Sequence, residues 1–456
     1  MAKKQLTIEE KLQAALVPAE EQPYKVPENW CWVRLGGVCS FVGGGTPSKK
    51  NPEFWNGDIS WASVKDIKGD YLFETIDSIT DIGCQNSATN ICEENDVLLV
   101  TRIEPGKTII SKIRTAINQD IKIVKSELSA EYLHYFFKTF QYEFIQRASG
   151  STVKGITISS VQNVQFPLSP QKEQSRIVAR IESLFAKLDE AKEKIQEVLD
   201  GADLRRAAIL HQAFTGKLTE KWRRENGVSD ENWEYKSIKE IAVPRAGVAF
   251  DSKKFSTKGY QVIRMGNLYN GELDLSRNPV YYPREFLDNK ILERALIHND
   301  DILITLTGTK YKRDYGYAVK MVNPEKLLVN QRILCLTAIK EYVLSDYLNY
   351  YLQTKLFRDV FFSNETGGVN QGNVSSKFVE SIVIKVPLVD EQQEIVHLLD
   401  NLLSREQSTV TACEEALTTI DTLKKSILAR AFRGELGTND PTDPSAQELL
   451  REILSA

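Results

Sequence analysis

Two short stretches near the start of the chain contain the residue types of an adenine methyltransferase. The run Phe41-Val-Gly-Gly-Gly45 matches the glycine loop that cradles S-adenosylmethionine, and Asn51-Pro-Glu-Phe54 is close to the Asn-Pro-Pro-aromatic catalytic motif. The cofactor loop should begin a helix whose N-terminal amides face the ligand, but the following TPSKKNP cannot begin one promptly. The second motif lacks a proline, and the two stretches lie too close together to be separate strands of one sheet. We therefore expect no methyl-transfer site here.

Other patterns that resemble catalytic motifs are also incomplete. Residues 150–155 have the glycine spacing of a phosphate-binding loop, but Ile156 stands where its lysine is needed. Residues 234–236 have a nuclease-like spacing without an acidic partner, so a solvated strand edge is the better interpretation. His211 becomes Ala429 in a repeated segment, which favours a structural or surface role. Six cysteines without a CxxC pair and four unclustered histidines predict no metal site and a reducing cytoplasm. The sequence predicts a binding protein that is not an enzyme.

Loops rich in glycine, lysine and polar residues are the candidates for binding a nucleic acid. The formal charge is −4, so any such contact needs a local basic face. Lysine, arginine and backbone amides can contact phosphates, while amide and hydroxyl side chains suit base edges. An exposed basic turn without function is the alternative interpretation. The candidates are Gly44, Gly45, Thr46, Ser48, Lys49, Lys50, Lys65, Arg102, Lys107, Thr152, Lys154, Arg245, Lys253, Lys254, Arg264, Asn267, Thr307, Lys310, Lys312, Arg313, Gln371 and Asn373.

The elements that must position these loops occur twice. ILHQAFTGKL at 209–218 returns as ILARAFRGEL at 427–436, and a tryptophan segment opens each half, at 28–35 and 231–238. A repeat this long describes two copies of a whole domain with its following helix, rather than a solenoid. Further matched segments are Asn118-Gln119 with Asn330-Gln331, the glycine loops at 150–155 and 367–372, and NVQFPL at 163–168 with VIKVPL at 383–388.

A long helix is predicted after each domain. Ser169-Pro170 and Asp390 are helix-start signals, and apolar residues then follow a heptad pattern. Gly216 and Gly434 stand where a helix C-terminus is capped. About forty residues give a rod of roughly 60 Å, so the two rods are expected to pack on one another. Polar breaks in the second rod, such as Glu406, leave room for a partner chain.

These patterns predict an α+β chain with two globular domains separated by long helices. Capping-box spacings at 7–10 and 445–448 predict short terminal helices, and 437–445 has the composition of a linker. The predicted boundaries are an N-terminal helical arm at 1–24, a first domain at 25–168, a central spacer helix at 169–220, a second domain at 228–388, a C-terminal spacer helix at 389–436, and a linker with a terminal helix at 437–456.

The chain resembles the specificity subunit of type I restriction-modification systems. The resemblance is carried by LVPAEEQPYKVPENWCWVRLG at 16–36, the GGGTPS loop, PLSPQKEQSRIVARIESLF at 167–185, and the ILxxAFxGxL ending of both copies. It spans essentially the whole chain. The second domain departs from the family pattern because it has Arg245-Ala-Gly-Val in place of the GGTPS loop.

The resemblance implies two target recognition domains held apart by an antiparallel coiled coil. Each domain would read one half of a bipartite site in double-stranded DNA. Two modification (methyltransferase) subunits would dock on the chain, and two restriction (translocase and nuclease) subunits would complete the complex. S-adenosylmethionine, ATP and Mg would be bound by those partners, and no cofactor by this chain.

Two expectations complete the interpretation of the sequence. The start, MAKKQLTIEEKL, has no apolar core of signal-peptide length, and no apolar run is long enough to span a membrane, so a cytoplasmic protein without a membrane partner is expected. The alternative function is a coiled-coil scaffold that assembles proteins without base-specific DNA readout. A scaffold does not require basic, glycine-rich loops in both copies.

Overall fold

The chain divides into two units, and each unit combines segments that are distant in sequence. A computed structural model describes residues 7–149, 154–229, 232–269, 271–310, 312–368 and 370–455. The first unit comprises residues 1–195 and 415–456, and the second comprises residues 196–414. Each unit therefore contains one globular domain together with helical residues from both repeats.

The first domain is built around a strand that is buried on both faces. Val97 and Leu99 lie in one apolar core, and Leu98 and Val100 lie in another, which explains a continuous apolar run rather than an alternating one. The sheet orders are β2-β10-β7-β8-β4, β5-β3-β9-β6 and β1-β11. The strands are β1 (Cys31–Arg34), β2 (Ser40–Gly43), β3 (Trp55–Ala62), β4 (Tyr71–Leu72), β5 (Asp77–Ile79), β6 (Asn90–Cys92), β7 (Val97–Val100), β8 (Thr108–Ser111), β9 (Thr115–Ile117), β10 (Ile121–Lys125) and β11 (Gln165–Leu168).

The second domain repeats this arrangement with its strands divided among more, smaller sheets. Ile302 and Ile304 face one core while Leu303 faces another. The sheet orders are β13-β22-β18-β20, β17-β14-β21, β12-β24, β15-β16 and β19-β23. The strands are β12 (Glu234–Ser237), β13 (Ala242–Ala246), β14 (Tyr260–Ile263), β15 (Leu268–Tyr269), β16 (Glu272–Leu273), β17 (Tyr281–Tyr282), β18 (Ile302–Thr305), β19 (Thr307–Gly308), β20 (Ala318–Lys320), β21 (Leu327–Val329), β22 (Ile333–Ala338), β23 (Gly372–Asn373) and β24 (Val383–Val386).

Helices accompany both domains, which confirms a mixed helix and strand fold. Those of the first unit are Ile8–Ala15, Asp81–Gln85, Ala130–Arg147, Ile158–Gln162 and Ala446–Ser455. Those of the second unit are Ala202–Phe214, Glu220–Asn226, Ile238–Ile241, Asn289–Ala295, Ser345–Leu352, Lys355–Ser363 and Ser376–Ser381. Two longer helices, Gln171–Asp200 and Val389–Ala431, each contribute residues to both units. Among the helices of the described ranges, none combines the length and apolar character needed to cross a membrane.

The duplication extends to individual hydrogen bonds. The Tyr132 hydroxyl donates to the carbonyl of Pro167 at 3.1 Å, and the Tyr347 hydroxyl donates to the carbonyl of Lys385 at 3.0 Å. Both tyrosines are completely buried, where an unpaired hydroxyl would be costly. Each bond ties a domain helix to the strand that leads into the long helix.

The opening tryptophan of each domain is held by a buried carboxylate at the start of a long helix. Trp30 Nε1 donates to Glu173 at 2.6 Å, and Trp233 Nε1 donates to Glu391 at 2.9 Å. Neither glutamate is exposed to solvent. In the first unit, Asn439 also donates to Glu173 at 2.9 Å, so the predicted linker at 437–445 packs against the domain.

The two long helices differ from the simple prediction in one respect. The helix after the second domain runs without interruption from Val389 to Ala431, whereas the helix after the first domain breaks at Gly201 and resumes as Ala202–Phe214. Both repeats nevertheless end as predicted. Gly216 has a φ of +79° and Gly434 a φ of +74°, a left-handed conformation that glycine adopts without strain.

Within each unit, segments of the two helices run antiparallel. In the first unit, Lys424 contacts Asp189 at 2.5 Å, and Arg176 donates at 2.9 Å to the carbonyl of Thr438, in the segment that follows the second helix. One partner's number falls as the other rises, which defines the direction.

The second unit has the same direction and corrects one expectation. Arg205 on Ala202–Phe214 pairs with Glu406 at 2.7 Å, and Arg223, on the short helix Glu220–Asn226 that follows, pairs with Glu391 at 2.7 Å. The sequence predicted that the polar residue Glu406 leaves room for a partner chain. An arginine of the same chain fills that position instead.

The repeated phenylalanine at the end of each helix packs on the domain of the other repeat. Phe432 lies 5.2 Å from the ring of Tyr132, and Phe214 lies 5.1 Å from the ring of Tyr347. Because Phe432 follows the second domain in sequence but packs on the first, each domain depends on the helix of the other repeat for its core.

Candidate nucleic-acid interface

The predicted glycine loop of the first domain is packed against protein backbone. A Cβ on Gly44 would lie 2.2 Å from the Asn118 carbonyl oxygen, and one on Gly45 would lie 2.5 Å from the carbonyl carbon of Ala88. The buried Gly45 amide donates to the Ile117 carbonyl at 3.0 Å. The Gly45 amide is therefore not free to contact a phosphate, as its place among the candidates had required. Glycine is needed here because two backbone segments approach each other closely.

Polar side chains gather where this loop meets the turn after β9. The Thr46 hydroxyl donates to the side-chain oxygen of Gln119. Arg102 pairs with Asp120 at 3.2 Å, and Lys122 Nζ donates to the Gln119 carbonyl at 3.1 Å. We name these five residues the first polar cluster.

The first polar cluster carries a net positive charge. Arg102 and Lys122 face one carboxylate, Asp120, which is 6% exposed. Burial lowers the pKa of Lys122, Asp120 raises it, and Arg102 lowers it further. Two cations beside one carboxylate, with the exposed amide of Gln119, are side-chain types that can contact phosphates and base edges.

The second domain has an equivalent glycine, although its sequence differs. A Cβ on Gly247 would lie 1.9 Å from the Asn330 carbonyl oxygen, the same close approach that Gly44 makes to Asn118. The Arg245-Ala-Gly-Val sequence therefore supplies the tight contact without the GGTPS motif. The departure from the family pattern is one of sequence and leaves this contact intact.

A second pair of matched backbone bonds aligns the turns that follow. The Thr101 amide donates to the Asp120 carbonyl at 2.8 Å, and the Leu306 amide donates to the Arg332 carbonyl at 3.0 Å. Arg332 therefore occupies in the second domain the position that Asp120 holds in the first. The charge at this position is reversed between the two copies.

The residue beside this position, Arg102 in the first domain, also differs in the second. Arg102 forms a β-bridge with Gly155, and Thr307 pairs with Asn373 in the same place. The Thr307 hydroxyl donates to the Asn373 side-chain oxygen at 2.8 Å. Thr307 and Asn373, with the exposed Gln331 and Arg332, form what we name the second polar cluster.

The remaining predicted residues lie at the surface to different degrees. Lys107 pairs with Glu104 at 2.6 Å, and Lys310 donates to the Gly367 carbonyl at 3.3 Å. Thr152 lies outside the described residues. The side chains that the structure exposes are those of Ser48, Lys49, Lys50, Lys65, Lys154, Lys253, Lys254, Lys312, Arg313 and Gln371.

Three predicted residues have structural roles within the domains. Arg245 forms an ion pair with Asp301, a fully buried carboxylate. Asn267 is 3% exposed and donates to the carbonyls of Asp274 and Arg277 at 2.9 Å each. The amide of Gly45 is also already bonded. These three residues were predicted to contact DNA, but the structure uses them to build the domains.

Sequence reasoning missed the residues at the centre of both clusters. Gln119, Asp120 and Lys122 in the first domain and Gln331 and Arg332 in the second were not among the candidates. The repeated Asn-Gln pair at 118–119 and 330–331 was a usable signal. It marks the same turn in each copy, directly before the position whose charge is reversed.

The methyltransferase-like glycine loop does not begin an α-helix. The glycine loop after β2 leads to a 3₁₀ turn at Pro52–Phe54, and the side chain of Asn51 caps that turn by accepting from the Glu53 amide at 3.2 Å. Across the described ranges, no group of three or more His, Cys, Asp or Glu side chains is arranged to hold a metal ion.

The sequence of this chain matches the family model described as the type I restriction modification DNA specificity domain. The match covers residues 27–200 and 230–415, one copy for each repeat. The chain belongs to this family. It is a type I restriction-modification specificity subunit, as its sequence predicted, and it contains two repeated domains of mixed helix and strand.

Individual relatives agree with this assignment. The chain is 25% identical over 317 residues to the EcoKI specificity subunit of Escherichia coli K12, covering 67% of this chain and 65% of that protein. It is 23% identical over 425 residues to the MjaVIII specificity subunit of Methanocaldococcus jannaschii, covering 90% and 94%. The crystal structure of the HsdS subunit from Thermoanaerobacter tengcongensis has the same fold, with a TM-score of 0.59 over 91% of this chain and 99% of that one, at 18% identity.

Proposed function

We propose that this chain is the sequence-specific DNA-binding subunit of a type I restriction-modification complex and is itself not a catalyst. Each domain reads one half of a bipartite duplex site. Two modification subunits, with S-adenosylmethionine, methylate adenine there, and two restriction subunits, with ATP and Mg, restrict unmodified DNA. The complex acts in the cytoplasm.

One observation carries this proposal. The two domains share backbone bonds at the same positions, but the side chains within that frame differ. Arg102 and Asp120 in the first domain correspond to Thr307 and Arg332 in the second. Two modules that read different sequences require this combination, because the frame fixes where side chains meet DNA and the side chains select bases.

The long helices support the bipartite part of the proposal. We propose that the predicted boundaries hold, with recognition domains at 25–168 and 228–388, spacer helices at 169–220 and 389–436, and terminal segments at 1–24 and 437–456. The spacers pair as an antiparallel coiled coil, in keeping with the antiparallel contacts inside each unit. Their length then sets the gap between the half-sites.

A bandshift of the assembled complex with its modification subunits tests DNA recognition. Genome-wide mapping of methylated adenine, with and without this chain, first identifies the site. We expect tight binding to that duplex, with an affinity that falls steeply as salt rises because phosphate contacts release counterions. Partner assembly without a DNA complex at low salt would favour the scaffold alternative.

Two arginine variants test the polar clusters. Arg102→Ala and Arg332→Ala should each weaken binding by about 1–3 kcal/mol if the guanidinium reads a base, with relaxed specificity in one half-site only. Arg451→Ala is the control, because that side chain is 52% exposed against 48% for Arg102 but lies on a terminal helix. Equal affinities for all three variants and the parent chain would reject the assignment.

The spacer proposal has a separate test. Deleting one heptad from each helix, residues 184–190 together with 402–408, should change the unread gap while both half-sites keep their sequence. Methylation mapping of the deletion complex measures this directly. A changed half-site sequence would contradict the division between reading domains and spacing helices.

A further inference from the structure

Ile103 is held in a backbone conformation that a β-branched residue rarely adopts. Its φ is +74°, in the left-handed region that favours glycine and asparagine. The other described non-glycine residues with a positive φ are not β-branched. The Glu104 amide donates to the Arg102 carbonyl at 3.0 Å across it, which makes Ile103 the centre of a strained γ-turn.

The surrounding structure enforces this turn. The Ile103 amide donates to the Lys154 carbonyl at 3.0 Å, and Arg102 is fixed by its bridge to Gly155. Glycine at this position would remove the strain at no cost in packing, because the isoleucine side chain is 56% exposed and lies in none of the apolar cores of its unit. A strained residue that the fold does not need is a sign of function.

The turn places an apolar side chain directly beside the first polar cluster. Arg102 precedes it in the chain, and the exposed Lys154 is bonded to its amide. These cations attract a phosphate backbone, which brings the branched side chain to the edge of the bases. In the major groove, the apolar feature that distinguishes one base from the others is the C5-methyl group of thymine.

The equivalent position of the second domain differs. Its β-bridge with Asn373 aligns Thr307 with Arg102, so Gly308 stands at the position of Ile103. Gly308 is also not among the glycines with positive φ. The apolar contact therefore belongs to one half-site alone.

We propose that Ile103 is a specificity-determining residue of the first domain, which contacts the methyl group of a thymine in the major groove of its half-site. The strained turn presents the side chain outward, and the cluster beside it supplies the polar contacts. This inference rests on the proposed DNA-reading function.

Replacement of thymine by deoxyuridine tests the contact because it removes only the methyl group. The probes are the duplex carrying the mapped site and its single-position deoxyuridine versions, bound to the complex of this chain with its modification subunits. For the parent chain, one substitution in the first half-site should weaken binding about fourfold, the effect of one buried methyl group. Ile103→Ala and Ile103→Gly should lose the same factor on the thymine duplex and nothing more on the deoxyuridine duplex.

Matched variants separate this contact from a general loss of structure. Ile82→Ala removes an isoleucine of similar exposure, 54%, from the helix Asp81–Gln85, and should behave as the parent chain. Ile103→Gly should unfold at the same temperature as the parent or higher, because the turn loses its strain. Full binding by the Ile103 variants, or an unchanged response to deoxyuridine, would overturn the inference. A parent complex that binds no specific duplex would instead reject the proposed function.

Discussion

Replacing Arg223 with methionine tests how strongly the second unit depends on the buried carboxylate of Glu391. Glu391 has no exposed surface and accepts from Arg223 at 2.7 Å, from Thr219 at 2.7 Å and from Trp233 at 2.9 Å. Arg223 also donates to the Gly216 carbonyl at 2.7 Å, directly after the helix Ala202–Phe214 ends. One guanidinium thus joins both helices to the opening tryptophan of the domain.

The magnitude follows from burial. Methionine keeps an unbranched apolar stem but has no charge, so it leaves the Glu391 carboxylate buried without its cation. Removing one partner of a buried pair costs about 3–5 kcal/mol. Arg34→Met is the matched control, because Arg34 and Glu21 have side chains 31% and 45% exposed, and such a surface pair contributes about 0–1 kcal/mol.

Urea unfolding followed by tryptophan fluorescence measures both variants. Arg223→Met should lower the free energy of unfolding by several kcal/mol more than Arg34→Met does. Adding Glu391→Gln to Arg223→Met should restore part of the loss, because a neutral amide does not need the cation. Equal losses in the two single variants, or no recovery in the double variant, would refute this account of the junction.

Three further perturbations have defined outcomes. Phe432→Ala should lower the free energy of unfolding by about 3–5 kcal/mol in a urea titration, because the ring is 2% exposed in the first core. Burial lowers the pKa of His134 from 6.5, and hydrogen bonds from His134 and Lys138 lower that of Asp70. In both cases the unfolded state binds more protons, so stability should fall as pH drops below about 6.5 and fall again below about 4, and His134→Gln should remove the first step. Gly247→Ala should lower the thermal midpoint because a backbone oxygen lies 1.9 Å from the new carbon, whereas Gly266→Ala meets no atom within 4 Å and should not.

Much of the fold could be predicted because its determinants are local and repeated. The helix caps at Gly216 and Gly434 depend on one residue type at one position. The matched apolar segments marked both domains, and the heptad patterns predicted the long helices. The break at Gly201 was not predicted, because a single glycine within a periodic helix is compatible with either a continuous or a divided helix.

The candidate interface was less accessible to sequence reasoning, because long-range pairing decides which polar groups are free. Arg245 has the residue type of a phosphate contact, but a strand pairing brings it to Asp301, distant in sequence, where it is needed to neutralise a buried carboxylate. The side-chain amide of Asn267 likewise donates to two carbonyls of its own loop and is not free to contact DNA. Composition cannot distinguish a basic residue that faces solvent from one that a buried acid requires.

The comparison between the two copies provides what composition cannot. Where both copies keep the same backbone bond, the position is part of the frame, as with the amides that donate to the carbonyls of Asp120 and Arg332. Where the side chain on that frame is acidic in one copy and basic in the other, packing does not determine its charge, since the frame tolerates both. An internal duplication therefore allows equivalent positions to be compared within one chain. It separates the residues that build the domain from those free to diverge, and the latter are where two different half-site specificities would have to be encoded.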